Sequence, residues 1–207
     1  FIPVAEETGM IHAIGDWVLD TAIAQAARWR ATYASPPRVA INLSPRQFWH
    51  SGLARGIIRR LQGHRLPAGS IELEVTESVL IQPEGPAIGE LRALRQHGLH
   101  LALDDFGTGY SSLSYLRNLP VNRLKIDKSF IFPLAGQRAE NPQDAAAIVR
   151  AIIAMAHSLS LSVVAEGVET AAHLQTLKVM GCDLYQGYLL SPALPADQFA
   201  ANFLRPT

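Results

Sequence analysis

Two adjacent aspartates, Asp104 and Asp105, end an apolar run in LHLALDDFGTGYSS, and a glycine-rich turn follows them. Polar residues sit near the ends of other apolar runs: Asn42 in VAINLS, Glu74 in IELEVTE, Lys125 in RLKID, Glu166 in SVVAEG and Gln186 in LYQGY. Glu77 and Glu169 lie just beyond two of these ends. Four or five carboxylates meeting in one cup repel one another and raise each other's pKa. Hard divalent cations remove that repulsion. A donor set of carboxylates and one amide oxygen suits magnesium or manganese better than zinc. At a strand end the backbone turns, so Asp104 can hold one ion while Asp105 reaches a second. Two cations roughly 3.5–4 Å apart can activate a water and stabilise an in-line phosphoryl displacement. The glycines let the backbone N–H groups of the turn come close to such a centre.

These residues need strands to bring them together. Strands are expected over residues 39–43, 71–76, 99–104, 123–127, 162–166 and 184–189. Helices are expected over 11–31, 47–62, 86–97, 112–118, 144–158, 171–180 and 196–202, with a loose segment near 136–143. Gly98 and Gly181 stand where helices should stop. Alternating strands and helices make a parallel sheet. Ile71, Leu73 and Val75 share one face of their strand, and Glu72, Glu74 and Thr76 the other. The same split separates Leu101 and Leu103 from Ala102 and Asp104, Leu124 and Ile126 from Lys125, and Ile41 and Leu43 from Asn42. A doubly wound sheet is aliphatic on both faces. One aliphatic face, opposite one that turns polar toward the strand C-termini, fits a TIM-type (β/α) barrel with its chemistry at the top. Eight strands are required and six are found, so the fold class expected is α/β, an incomplete TIM-type barrel forming one domain over 1–207. The opening FIPVAEETG has neither an initiator methionine nor a basic leader and reads as part of a longer protein.

The 207 residues carry 18 basic and 18 acidic side chains, so no net field draws in a nucleic acid polymer or an anionic membrane. No membrane span is evident. The single cysteine, Cys182, excludes an internal disulfide and reads as a small buried hydrophobe. Each candidate also has a plainer role. Glu77 and Glu169 can cap helices, and Lys125 can be a structural ion-pair partner. His157 reads as structural, and Trp17 and Trp29 read as packing. The functional reading rests on coincidence: polar groups recur on the same face of successive strands, which core packing does not require.

The runs FIPVAEETG, NLSPRQF, ELEVTES, LALDDFGTGYSSLSYL, LKIDKSF, VVAEGVET and GCDLYQGY, in this order across nearly the whole chain, resemble the EAL domain family of cyclic di-GMP phosphodiesterases. The resemblance implies a barrel that hydrolyses cyclic di-GMP to linear pGpG with magnesium or manganese in a two-metal site. It implies that Asn42, Glu74, Asp104, Asp105 and Glu166 are metal ligands, and that Lys125, Glu166 and Asp105 are catalytic. Gln186 and Arg46 are expected to bind substrate. Glu77 is expected to steady the DDFGTGYSS loop, with Glu169 in a similar loop-stabilising role. That loop and the helix expected over 112–118 resemble a homodimer contact.

The chain departs from the pattern in two places. Asn122 stands where an aspartate is common, and the strand bearing the eponymous Glu-Ala-Leu is absent. Losing that strand is expected to remove one metal ligand, impair this polypeptide and expose two sheet edges. The parent is expected to be cytoplasmic or membrane-anchored, with regulatory domains. Alternative readings are a catalytically silent cyclic di-GMP receptor, an interaction module, or a different metal-dependent barrel phosphoesterase.

Overall fold

The computed structural model describes residues 1–49, 52–78, 86–108, 116–134 and 142–205. Among the described residues, six strands form one parallel sheet in chain order: β1 (Val39–Leu43), β2 (Ile71–Thr76), β3 (His100–Phe106), β4 (Arg123–Ile126), β5 (Ser162–Ala165) and β6 (Leu184–Tyr185). The helices are α1 (Ile2–Thr8), α2 (Ile11–Thr32), α3 (Leu53–Gly63), α4 (Pro86–Gln96), α5 (Lys128–Ile131), α6 (Pro142–Ser158), α7 (Ala171–Val179) and α8 (Ala196–Phe203). The fold is α/β, and its strand order is that of the TIM type; closure of the sheet is not seen among the described residues. The chain divides into two compact units, residues 1–101 with 194–207, and residues 102–193.

In the first unit, Val39 to Leu43 pair in register with Ile71 to Val75, so Asn42 lies opposite Glu74. Ile41, Leu43, Ile71, Leu73 and Val75 are buried. Helices supply the other half of this core: Leu19, Ile23 and Ala26 from α2, Ile57 and Leu61 from α3, and Leu91 and Leu94 from α4, all buried. Burying each Leu or Ile is worth about 1.5–3 kcal/mol. Trp17, expected to pack, is instead 66% exposed. Two residues along a helix lie about 200° apart, so burying Leu19 turns Trp17 outward. Trp29 does pack, with its ring 5.3 Å from that of Phe199 on α8.

Polar groups tie the N-terminal ends of these strands. The Arg38 guanidinium donates to the Gly69 carbonyl at 3.0 Å, meets the buried Glu72 carboxylate at 3.5 Å and lies 2.9 Å from His100 Nε2. Glu90, on α4, accepts from the Gly52 and Ala54 N–H groups at 2.9 and 2.6 Å. It thereby satisfies two of the four free donors at the start of α3.

In the second unit β3 to β6 pair in parallel. Strand β3 is irregular between Leu103 and Phe106, where Asp104 and Asp105 lie. Val149, Ile153 and Ala156 of α6 are buried, as are Leu124, Ile126, Val163 and Ala165 of the strands. The observed bounds differ from expectation mostly by one or two residues. Strand β3 runs on to Phe106, whereas β6 stops at Tyr185, four residues short. The helix expected over 47–62 is a 3-10 turn, Pro45–Trp49, followed by α3. Helix α1 and the short α5 were not anticipated, since neither is long enough to show a periodic pattern. The helix expected over 112–118 and the loose segment near 136–143 fall largely outside the described residues. No described helix is long and apolar enough to cross a membrane.

His157 has the structural role expected of it. Its Nε2 lies 2.8 Å from Asp183 Oδ2, which also accepts from the Val163 N–H at 2.7 Å. Burial alone would raise the Asp183 pKa, but these two hydrogen bonds outweigh it and hold the carboxyl below its ordinary range. The unfolded chain therefore takes up this proton first as pH falls. The stability Asp183 contributes is present above the ordinary aspartate pKa and is lost below about pH 4. Urea unfolding of Asp183→Asn should show a loss of about 1 kcal/mol at pH 7 and a flatter decline than wild type below pH 4.

Candidate active site

The site is built from the polar edge of the second unit's strands. Asp104 lies just past the regular part of β3, Lys125 lies within β4, and Glu166 follows β5 directly. The Lys125 ammonium is buried and sits 3.0 Å from Asp104 Oδ1 and 2.7 Å from Glu166 Oε1. Parallel pairing brings this about: Lys125 is opposite Val164, and the Glu166 N–H bonds the Ile126 carbonyl at 3.1 Å. Asp105 takes a left-handed backbone, φ 55°, and its N–H donates to Asp104 Oδ1 at 3.0 Å. Asp tolerates this conformation better than most residues. It turns the second carboxylate into the group, although adjacent side chains in a regular strand point apart.

One oxygen from each of Asp104, Asp105 and Glu166 lies within 4.8 Å of the others. Burial pushes the Glu166 carboxyl above its ordinary pKa; Asp104 and Asp105 push the same way, and Lys125 opposes them. Three carboxylates held this close with one ammonium remain net negative. All-oxygen donors at this spacing fit a hard divalent cation, and no thiol or imidazole belongs to the group.

In the first unit Asn42 is exposed, and its register partner Glu74 is 6% exposed. Asn42 lines a cavity of about 840 Å³ together with Glu6, Ile11, Gly15, Ser44 and Arg46. Sequence reasoning missed Glu6, which accepts the Ser44 hydroxyl hydrogen bond at 2.6 Å. Ser44 Oγ in turn accepts from the Arg46 N–H at 3.2 Å. Thirty-eight residues separate Glu6 from Ser44, and no local spacing signals such a pair.

The remaining candidates lie elsewhere. Glu77 is buried just past β2; the later part of the loop it was expected to steady, residues 109–112, lies outside the described residues, as does the start of the expected dimer helix. Glu169 is exposed, and Thr170 caps α7 by accepting from the His173 N–H at 3.1 Å. The Gln186 side chain is exposed directly after β6, while its N–H bonds the Ala165 carbonyl at 2.8 Å. The Cys182 thiol is half-buried, and burial raises its pKa; a proton-bearing, unreactive sulfur suits its structural reading.

The fold and site define an α/β protein with a carboxylate cluster at the strand ends of a parallel sheet. The EAL domain model matches residues 1–193, and the chain belongs to the EAL domain family. It is 44% identical over 202 residues to the bifunctional diguanylate cyclase/cyclic di-GMP phosphodiesterase MucR of Pseudomonas aeruginosa. It is 40% identical over 196 residues to the cyclic di-GMP phosphodiesterase PA2567 of the same organism. These matches take in 98% and 94% of this chain but only 29% and 32% of those proteins. Among solved structures, the MucR phosphodiesterase in complex with c-di-GMP superposes with a TM-score of 0.89 at 44% identity, covering 96% of this chain and 78% of that one. The EAL domain of Mycobacterium smegmatis DcpA gives a TM-score of 0.81 at 41% identity, covering 90% and 82%.

Replacing Lys125 with Met should cost about 3 kcal/mol of stability in chelator, because it strands the buried Asp104 and half-buried Glu166 carboxylates. Thermal unfolding with and without manganese checks this. The cation should raise the midpoint of the variant by more than that of the wild type.

Proposed function

We propose that this chain is the catalytic domain of a cyclic di-GMP phosphodiesterase, dependent on magnesium or manganese and releasing linear pGpG. The observation that carries the reading is the Asp104–Asp105–Glu166 group with Lys125 inserted between two of its members. Membership of the EAL family and the c-di-GMP complex of the MucR phosphodiesterase support the choice of substrate.

In this reading Asp104, Asp105 and Glu166 hold the cations, and Asn42 and Glu74 are two further donors by their place in the family motifs. The cations, when bound, neutralise charge developing on the phosphate and favour ionisation of a water. Glu166 accepts the proton of the attacking water, a role suited by a carboxyl whose pKa burial has raised. The water oxygen adds to phosphorus and one ribose oxygen leaves, taking up a proton from solvent to become a hydroxyl, so one ring bond opens and the other phosphodiester remains. Lys125 holds Glu166 in place through the 2.7 Å contact and offsets negative charge near the attacking oxygen. Gln186 and Arg46 contact the nucleotide. The parent protein is cytoplasmic or membrane-anchored and carries further regulatory domains. The DDFGTGYSS loop and the segment over 112–118 form a homodimer contact.

Chromatographic assay of cyclic di-GMP turnover tests the proposal. Linear pGpG should accumulate with manganese and stop on addition of EDTA. Glu166→Gln should lower kcat by about 10²-fold or more, with unchanged circular dichroism. Tight binding of cyclic di-GMP without any hydrolysis under these conditions would replace the enzyme with a receptor.

A further inference from the structure

We propose that Phe130 is a positioning residue for the carboxylate group: its ring, seated against Gly107, holds the turn that aims Asp104 and Asp105. The same short helix, α5, together with Phe132 directly after it, packs against the turn that follows Glu166. The inference rests on the reading of these carboxylates as metal ligands.

Gly107 follows the aspartates by two residues and has φ +98°. A Cβ placed on it would lie 2.8 Å from both Cε2 and Cζ of Phe130, closer than side-chain atoms come. The ring therefore abuts the bare backbone of the turn. Asp105, just before, is itself left-handed at φ 55°. A non-glycine residue keeps that conformation only when its surroundings hold it there. Locally, the Thr108 N–H and hydroxyl both bond the Asp105 carbonyl, at 3.3 and 2.9 Å. From outside, the Phe130 ring packs against the same turn.

Phe130 is well placed to resist movement because α5 is anchored at both ends. Asp127 caps its start, accepting from the Ser129 N–H at 2.9 Å, and Ile131 at its end is fully buried. Strand β4, which carries Lys125, leads directly into that cap. Gly167, the residue after Glu166, makes a matching contact. A Cβ there would lie 2.6 Å from Lys128 Cβ and 3.2 Å from Phe132 Cε1. The helix thus sits against both turns that bear the carboxylates, one through Phe130 and the other through Lys128, with Phe132 directly after the helix adding to the second contact.

The test compares Phe130→Ala and the milder Phe130→Leu with Ile131→Ala, which damages the same helix without touching Gly107. Two quantities are measured where circular dichroism shows each variant folded: hydrogen exchange of the Thr108 amide, and manganese affinity from the paramagnetic signal of the free ion. Phe130→Ala should speed the exchange and weaken manganese binding by about tenfold, as loss of a ligand's supporting contacts does. Phe130→Leu should fall between it and wild type, and Ile131→Ala, which loosens the anchor of α5 but leaves the ring on Gly107, should change both quantities by much less than Phe130→Ala. Unchanged exchange in Phe130→Ala, or an equal effect from Ile131→Ala, overturns the role of Phe130. Faster exchange with undiminished manganese affinity overturns it too, leaving only a packing contact. A wild-type protein that binds no manganese sinks the metal reading instead, and the exchange comparison alone then decides whether the ring holds the turn.

Discussion

A buried cation between two carboxylates is the constraint on which the site depends. Lys125 is almost wholly removed from water, and an isolated ammonium there would be unstable. Asp104 and Glu166 satisfy it, and it in turn permits two acids to approach within reach of a third. Remove the lysine and the acids must protonate or separate; remove the acids and the lysine has no reason to be inside. The group is over-supplied with negative charge even so, and that surplus is what a divalent ion can use.

The architecture around the group holds these charges at fixed separations. Parallel pairing of β4 with β5 sets Lys125 against the end of the strand that delivers Glu166. The irregularity of β3 between Leu103 and Phe106 lets two consecutive aspartates serve one group. Close backbone approaches at Gly107 and Gly167 then pack both turns against the helix that follows Lys125. Interior side chains at crystal-like density transmit such contacts with little slack. Residues that never touch a substrate can therefore set where the carboxylates stand.

Much of the frame was readable beforehand because periodicity reports burial. The alternation Ile71, Leu73, Val75 against Glu72, Glu74 placed a strand with two distinct faces, and β1 and β2 have the bounds read from it. Short elements were not readable. Helix α1 has seven residues and α5 four, too few for a 3.6-residue period to declare itself. Trp17 was misplaced for a related reason: a long helix offers several candidate faces, and only the neighbouring strands decide which is covered. The length of β6 was overestimated because an apolar run, Leu184 to Leu190, looks like strand whether or not a neighbour pairs with it.

The chemistry of the site was legible as residue type and position. Acids, an amide and a lysine recur at apolar run ends, and the motifs in order name the EAL family. What only the tertiary structure decided is which of these side chains share one point in space and in what electrical state. The Lys125 contacts, the left-handed turn at Asp105 and the raised pKa of Glu166 all depend on pairings between segments twenty to sixty residues apart. So does the seating of Phe130 on Gly107. Sequence patterns record whether a residue prefers water or the interior; distances between charges, and the burial that strengthens them, exist only once the strands are side by side.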